Sequence, residues 1–274
     1  MADLTRADIA AGLRALGLAA GDTVMVHSSL SAFGHVQGGA QTVVEALLEV
    51  LGPAVGGAGS PARGSIDAVG TLVVPTFSRY LQGGETVWDR EHTPSLMGAI
   101  SEAVRTRPGA LRSSHAAHPL AAIGPKAELL CGRPYKTGFG PDSPFRTLVE
   151  INAWILLMGV TYSNCTLIHL LEAEAKVPYR FLEWRPATVI LDGVADAEGG
   201  AWEYTRKEAV ANDFLTFGGM LEQRGLVRRG RIGASEQRLL RAGDLYEVGM
   251  ALMRQDPLLL LTEESRAQWK GKRA

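Results

Sequence analysis

The sequence predicts an α/β sandwich, in which helices cover both faces of a β-sheet. Short apolar runs that suit buried strands (TVMV, TLVV and WILLMGV) alternate along the chain with longer segments of helical period. The chain has 274 residues and 46% hydrophobic content, which is enough for a substantial core. Strands and helices alternate over most of the length, so we expect one α/β domain, residues 1–274, rather than two unrelated domains.

Charge and composition disfavour several classes of function. The net charge is −1, and Lys and Arg are spread along the chain, so no basic surface indicates nucleic acid or an anionic membrane. No apolar run is long enough to span a membrane, and the N-terminal residues lack the pattern of a secretory signal. We therefore expect a cytoplasmic protein. Cys131 and Cys165 have no CxxC spacing and are expected to be free thiols.

The first part of the chain predicts helix, strand, loop and helix. LTRADIAAGLRALGL has helical spacing with Thr5 as a candidate cap, and TVMV is a strand that ends at His27. Ser28 and Ser29 follow at once, and after Gly34 the segment AQTVVEALLEVLG predicts a helix. The intervening loop leaves backbone N–H groups free to meet a phosphate or carbonyl oxygen, although it matches neither the P-loop nor the dinucleotide fingerprint.

A second strand also ends in hydroxyl groups. Residues 54–69 are rich in Gly and Ala and predict a surface insertion. The segment GTLVVPTFS then predicts a strand that is followed by Thr76 and Ser78. SLMGAISEAVRTR predicts a helix with Ser95 at its start.

Histidines and serines crowd the segment LRSSHAAHPLAAIG ahead of the next predicted strand. His115 and His118 would suit a metal on a helix, but Pro119 and the serines favour extended or turn backbone, so we expect no metal. KAELLCG and PFRTLVE predict short helices on either side of a Gly- and Pro-rich loop. Asp142 and Ser143 on this loop suit a turn.

The segment INAWILLMGVTYSNCTLIHLLEAEAK predicts strand, turn and helix, with the helix from Thr166 onward. On that helix His169 and Glu172 stand three apart and share a face. A carboxylate beside an imidazole orients it and increases its strength as a base. Ligands of α/β sheets also bind where strands end and helices begin. His169 is therefore either a general base or a core histidine hydrogen-bonded to its own helix.

The last third predicts a hairpin followed by helices and a strand pair. TVIL is a strand before the turn Asp192-Gly193, and the chain is expected to return through AWEYTR. The helices AVANDFLTFGGMLEQRG and AGDLYEVGMALMRQDP flank a strand pair in VRRGRIGASEQRLLRA. Asp213 and Glu222 are either exposed helix charges or contributors of negative potential to a cleft.

Several segments together resemble the aminoglycoside 3-N-acetyltransferase family. They are VMVHSSLSAFG, GTLVVPTFS, LRSSHAAHPLAAIG, GFGPDSPF and NCTLIHLLEAEAKVPYR, and with DFLTFGGMLEQRG and RIGASEQRLLRAGDLYEVGM they cover nearly the whole chain. The resemblance implies a mixed β-sheet flanked by helices, an αβα sandwich distinct from the common N-acetyltransferase fold. It also implies transfer of an acetyl group from acetyl-CoA to the 3-amino group of an aminoglycoside, an antibiotic-resistance activity.

The resemblance also implies which residues form the site. His169 and Glu172 fall on the family's helix histidine and its acidic partner, and HSSLSAFG falls on its coenzyme-binding segment. The expected contacts of acetyl-CoA are His27, Ser28, Ser29, Leu30, Ser31, Phe33, Gly34, Thr76, Ser113 and His115. The chain departs from the family pattern at Ala116, where a proline is usual, and at Pro119, where a serine is usual.

The mechanism that we hypothesise is direct transfer. His169, oriented by Glu172, takes the proton of the acceptor ammonium, and the amine attacks the thioester that His27 helps to position. Donors for the resulting oxyanion would come from the clusters around the serines of the first loop and Thr76. An aminoglycoside is polycationic, so we expect acidic residues in its pocket, namely Asp142, Glu174 and Asp213.

Three alternatives stay open from the sequence. Cys165 precedes His169 by four residues near a helix start, where the dipole lowers the pKa of a thiol, as in a Cys–His nucleophile pair. The chain would then be a thiol acyltransferase or a hydrolase. The acceptor is alternatively an amine other than an aminoglycoside, or the chain is a non-catalytic binding module. The sequence does not decide between a monomer and a homodimer.

Overall fold

The computed structural model describes residues 3–52, 69–78, 86–135, 137–207 and 210–271. The helices of this part of the chain are α1 Arg6–Leu16, α2 Gly39–Leu51, α3 Ala99–Arg105, α4 Ala127–Cys131, α5 Pro144–Glu150, α6 Ile168–Glu174, α7 Phe214–Gln223, α8 Ala242–Gln255 and α9 Glu263–Gly271. The strands are β1 Thr23–Ser28, β2 Thr71–Pro75, β3 Val87–Asp89, β4 Leu111–Arg112, β5 Leu120–Ile123, β6 Trp154–Met158, β7 Arg180–Pro186, β8 Thr188–Leu191, β9 Val194–Asp196, β10 Gly200–Arg206, β11 Val227–Ile232 and β12 Ser235–Arg241.

Seven of these strands form one mixed sheet in the order β11-β12-β6-β1-β2-β5-β4. The central strands β6, β1 and β2 are parallel. β12 runs antiparallel to β6, and β5 runs antiparallel to β2. The predicted mixed sheet is therefore confirmed.

Side chains of the central strands alternate between two apolar cores. Val24 and Val26 of β1 face a core that includes Leu13 of α1 and Leu47 of α2. Met25, between them, faces a second core that receives side chains of α4, α5, α6, α7 and α8. Because both faces of the strands are buried, the sequence of each strand is an unbroken apolar run. The helices therefore cover both faces of the sheet, as predicted.

The topology brings the polar loops to one edge of the sheet. The carboxyl ends of β1, β2 and β6 meet there because these strands are parallel. The antiparallel strand β5 starts at the same edge, since Leu120 pairs with Pro75. This arrangement places the loop after β1, the segment around Thr76, the histidines before β5 and the start of α6 at one end of the fold.

Local signals set several element boundaries correctly. Thr5 caps α1 in a capping box with Asp8, and Ser143 caps α5, with Pro144 in its first turn. Ser95 does not start α3, and that prediction is wrong. The helix begins at Ala99 after Gly98, which has φ 99°, while the Ser95 hydroxyl accepts the N–H of Met97.

The predicted hairpin also needs correction. The turn Asp192-Gly193 exists, with φ of 52° and 77°, but it joins β8 to β9. The returning segment AWEYTR lies in β10 and pairs with β7, so that Trp202 faces Trp184. β7 and β10 form a two-stranded sheet, and β3, β8 and β9 form a three-stranded one.

Three further expectations concern the chain as a whole. The insertion at 54–69 lies outside the described residues except for Val69. The single domain over residues 1–274 stays a prediction. Among the described residues, no helix combines the length and the apolar character that crossing a membrane requires.

Candidate active site

His169 and Glu172 are in direct contact on the first turns of α6. His169 Nδ1 lies 2.6 Å from Glu172 Oε2, and Glu172 is fully buried, whereas the His169 side chain is 27% exposed. The carboxylate accepts the Nδ1 proton, so the neutral ring carries its lone pair on Nε2. Within the described part of the chain Nε2 makes no hydrogen bond. The partly open imidazole therefore has a free basic nitrogen.

Glu172 has two further partners from other parts of the chain. Arg180 Nε at the start of β7 lies 2.8 Å from Oε2, and Asn212 Nδ2 donates to Oε1 at 2.8 Å. The Arg180 contact is an ion pair, since its N–H is not aligned as a hydrogen bond. Burial raises the pKa of the Glu172 carboxyl, but the hydrogen bond and charge of His169 and the charge of Arg180 outweigh it and hold the pKa below its usual value.

Two phenylalanines flank His169. The ring centroid of Phe214, the first residue of α7, is 5.1 Å from that of His169, and the centroid of Phe139 is 5.5 Å away. Phe139 also contacts His118, with ring centroids 4.6 Å apart. Burial lowers the pKa of His118 well below its usual value, and the nearby His115, His169 and Arg180 lower it further, so His118 is neutral.

The loop after β1 is the segment predicted to bind the coenzyme. A short 3₁₀ helix spans Leu30–Phe33; its last residue, Phe33, is buried, and Ser31 is exposed. Ser29 donates its N–H to the carbonyl of Met158, and its hydroxyl lies 3.1 Å from that of Ser31. The first contact joins the loop to the end of β6, and the second lies within the loop.

Gly159 allows this close approach of loop and strand. Its φ is 68°, and a Cβ at this position would clash with Cβ of Ala32. Residues that carry a side chain rarely adopt a positive φ, and the space that a side chain would need is already filled by Ala32. Ser28, Ser29 and Leu30 are half-buried and Gly34 is exposed, so the loop presents its backbone and hydroxyls at the edge of the sheet.

His27 is the second-to-last residue of β1 and lies inside the protein. It is 4% exposed and pairs with Leu157 of β6, and strand alternation places its side chain on the same face of the sheet as α6. Burial lowers the pKa of His27 to about 4, so the ring is neutral. Its Nε2 has no hydrogen-bond partner within the described residues.

Three of the residues predicted to bind the coenzyme make contacts between loops of the protein. Thr76 donates both its N–H and its hydroxyl to the carbonyl of Pro119, and its oxygen accepts Nε–H of Arg112. The Ser113 hydroxyl accepts the N–H of Leu120 and contacts the hydroxyl of Tyr135.

His115 is the third of these residues. It is buried, stacks on Tyr135 at 4.8 Å, and accepts the N–H of His118 on Nδ1. The coenzyme contacts expected from Thr76, Ser113 and His115 stay a prediction.

The predicted acidic residues have different environments. Asp142 is exposed on the loop that carries Phe139, and Asp213 is the N-cap of α7 directly before Phe214. Glu174 instead pairs with Arg146 of α5 at 3.3 Å and accepts the hydroxyl of Tyr246 of α8. It lies away from the His169 side of α6, so we do not place it in an acceptor pocket.

Cys165 does not have the environment of a nucleophile. It is 1% exposed and precedes α6, which begins only at Ile168. Burial raises the pKa of its thiol to about 12 and outweighs the opposing hydrogen bonds from the Leu167 and Ile168 N–H groups. The dipole effect predicted from the sequence is therefore overcome by burial, which argues against the thiol mechanism.

Sequence reasoning missed Arg180, Asn212, Phe139, Phe214 and His118 as neighbours of the site. A signal for Arg180 was available, because a buried glutamate requires a cationic or hydrogen-bonding partner. No local pattern marks Asn212, which is forty residues from Glu172. Among the described residues, no three His, Cys, Asp or Glu side chains converge to hold a metal ion.

The chain matches known proteins over most of its length. The model of the family described as aminoglycoside 3-N-acetyltransferase matches residues 25–254. Aminoglycoside N(3)-acetyltransferase VII of Streptomyces paromomycinus is 34% identical, with 91% of each chain covered.

Two solved structures show the same fold. AAC-IIIb in a binary complex with CoASH is 26% identical, with a TM-score of 0.79 and coverage of 93% of this chain and 97% of the relative. A mutant of AAC(3)-IVa in complex with a gentamicin is also 26% identical, with a TM-score of 0.79 and coverage of 97% and 95%. The predicted enzyme class and acetyl-CoA dependence are confirmed: the chain belongs to the aminoglycoside 3-N-acetyltransferase family.

Proposed function

We propose that this enzyme transfers the acetyl group of acetyl-CoA directly to the 3-amino group of an aminoglycoside, with His169 as the general base. The observation that carries the proposal is the 2.6 Å contact between His169 Nδ1 and the buried carboxylate of Glu172. It leaves Nε2 as the basic atom of a partly exposed ring. Two relatives were solved with CoASH and with a gentamicin bound, which supports both substrates.

The reaction begins with removal of a proton. His169 Nε2 accepts a proton from the acceptor ammonium, and Glu172 stabilises the imidazolium that forms. The amine nitrogen then attacks the thioester carbonyl, and the tetrahedral intermediate collapses with loss of the coenzyme A thiolate. His169 releases the first proton to solvent, accepts the second proton from the attacking nitrogen of the intermediate, and passes it to the coenzyme A thiolate. The products are the acetamide and coenzyme A, and the base is restored.

The oxyanion needs donors that the protein has not already used. The donors of Thr76 are engaged with Pro119, so we assign this role to the loop after β1. The N–H groups of Leu30 and Ser31 open a 3₁₀ helix and have no partner within it. Ser28, the last residue of β1, is half-buried and carries a hydroxyl at the start of this loop. Donors of this kind typically contribute about 10²–10³ in rate.

Acidic side chains near His169 suit a polycationic acceptor. Asp142 and Asp213 lie on the segments that deliver Phe139 and Phe214 to the His169 ring. Carboxylates close to the mouth of a cleft raise the local concentration of a cation. We therefore assign Asp142 and Asp213 to acceptor binding.

The test is an acetyl-transfer assay of purified protein with acetyl-CoA and a panel of aminoglycosides. We expect thiol release and a product that carries one added acetyl group, with NMR placing it on the 3-amino nitrogen. Acetylation at another amine would refute the regiochemistry. Absence of product across the panel, with coenzyme still bound, would favour an amine outside this drug class. The cytoplasmic location stays a prediction, and the choice between monomer and homodimer stays open.

A further inference from the structure

We propose that Arg180, together with Asn212, is a positioning residue for the catalytic pair. The two side chains hold the plane of the Glu172 carboxylate and keep the group ionised, so that one of its oxygens always faces His169. This inference rests on the proposed function, because it assigns a role through His169 as the base.

The guanidinium of Arg180 is held from three directions. Nε lies 2.8 Å from Glu172 Oε2, Nη1 donates to the carbonyl of Tyr204 at 2.9 Å, and Nη2 donates to Asn212 Oδ1 at 3.2 Å. The Arg180 side chain is only 9% exposed. These contacts fix the charge beside the carboxylate. Arg180 Nη2 also lies 3.3 Å from His169 Nδ1, but it makes no hydrogen bond there, because Nδ1 carries the proton donated to Glu172.

Asn212 fixes the second oxygen of the carboxylate. Its Nδ2 donates to Glu172 Oε1 at 2.8 Å and also lies 3.2 Å from the carbonyl of Leu260. The two oxygens of Glu172 therefore have different partners, and rotation of the carboxylate would break contacts at both. Only one plane of the carboxylate, with one oxygen facing Asn212 and the other facing His169, satisfies both partners.

Arg180 also keeps the carboxylate charged. Full burial alone would favour the protonated acid, which cannot accept the Nδ1 proton of His169 with its O–H oxygen. The adjacent guanidinium compensates for the lost hydration. Removal of one partner from a buried ion pair leaves the other charge uncompensated and destabilises the fold, so the experiment has to separate a role in positioning from a role in folding.

The experiment compares Arg180→Gln with Arg185→Gln, a control on the same strand that pairs with Glu183 and Glu203. We expect Arg180→Gln to lower kcat at least about tenfold, with the KM values within about threefold. Arg180→Lys should recover only part of the lost kcat, since a single ammonium group cannot make the three contacts of the guanidinium. Arg185→Gln should keep kcat near the parent value.

A double-mutant cycle with His169→Ala separates positioning from structure. If Arg180 acts through His169, adding Arg180→Gln to His169→Ala causes no further loss of the residual rate. Losses that multiply in the double variant would overturn the inference. So would a parent-like kcat for Arg180→Gln while His169→Ala is inactive, and that result would leave the proposed function intact. Parent-like turnover of His169→Ala would instead refute the proposed function.

Asn212→Ala provides a second route if Arg180→Gln does not fold. It removes the donor to Oε1 and leaves the charges in place, so we expect a smaller fall in kcat that also disappears in the His169→Ala background. An Asn212→Ala variant with unchanged kcat would contradict the role of Asn212. Thermal unfolding of each variant shows whether the protein tested is folded.

Discussion

Replacement of His27 by leucine should change how the stability of the protein depends on pH. The folded chain protonates His27 only near pH 4, because burial lowers its pKa to about 4, whereas an unfolded chain protonates it near pH 6.5. The unfolded state therefore binds more protons than the folded state between these values, and the folded state loses stability as the pH falls from about 6.5 to about 4. The difference of about 2.5 pKa units corresponds to about 3 kcal/mol.

The assay is urea-induced unfolding of the parent protein and His27→Leu at several pH values between about 7 and 4. The leucine variant does not lose stability through this protonation. As the pH falls from about 7 to about 4, its free energy of unfolding should therefore rise by about 3 kcal/mol relative to that of the parent. His118 and Glu172 are present in both proteins, so their contributions cancel in the comparison. A stability difference that does not change with pH would refute the buried, neutral state of His27.

Two further predictions test the chemistry of the site. Cys165→Ala should keep kcat within about threefold of the parent value, with sequential kinetics, because the thiol is buried and protonated. Ping-pong kinetics of the parent together with an inactive variant would restore the thiol mechanism. Asp213→Asn, alone or with Asp142→Asn, should raise KM for an aminoglycoside about tenfold and leave kcat and melting temperature near parent values, since asparagine caps a helix as well as aspartate does. If the variants had the same KM as the parent when both are measured at low ionic strength, these residues would not belong to the acceptor pocket.

The sheet could be predicted because its physics is local to each strand. β1, β2 and β6 are buried on both faces, so each appears in the sequence as an unbroken apolar run. The contact between His169 and Glu172 was predictable for the same reason, since residues three apart on a helix are neighbours.

Strand pairing and the state of polar groups depend on distant contacts. The segment AWEYTR pairs with β7 rather than with TVIL, a choice set by the tertiary structure and not by the turn Asp192-Gly193. Thr76 carries two hydrogen-bond donors, but both are already bonded to the carbonyl of Pro119, forty-three residues away. Burial of Cys165 likewise cancels the helix effect that its position in the sequence indicates.

Turnover by His169→Ala tests the central claim most directly. General base catalysis typically contributes about 10²–10⁴ in rate, so we expect kcat to fall by at least about a hundredfold with acetyl-CoA and an aminoglycoside acceptor. His92→Ala, a change at an exposed histidine that pairs with Asp89, is the matched control and should retain parent activity. A His169→Ala enzyme that keeps kcat within a few-fold of the parent would contradict the assignment of His169 as the base.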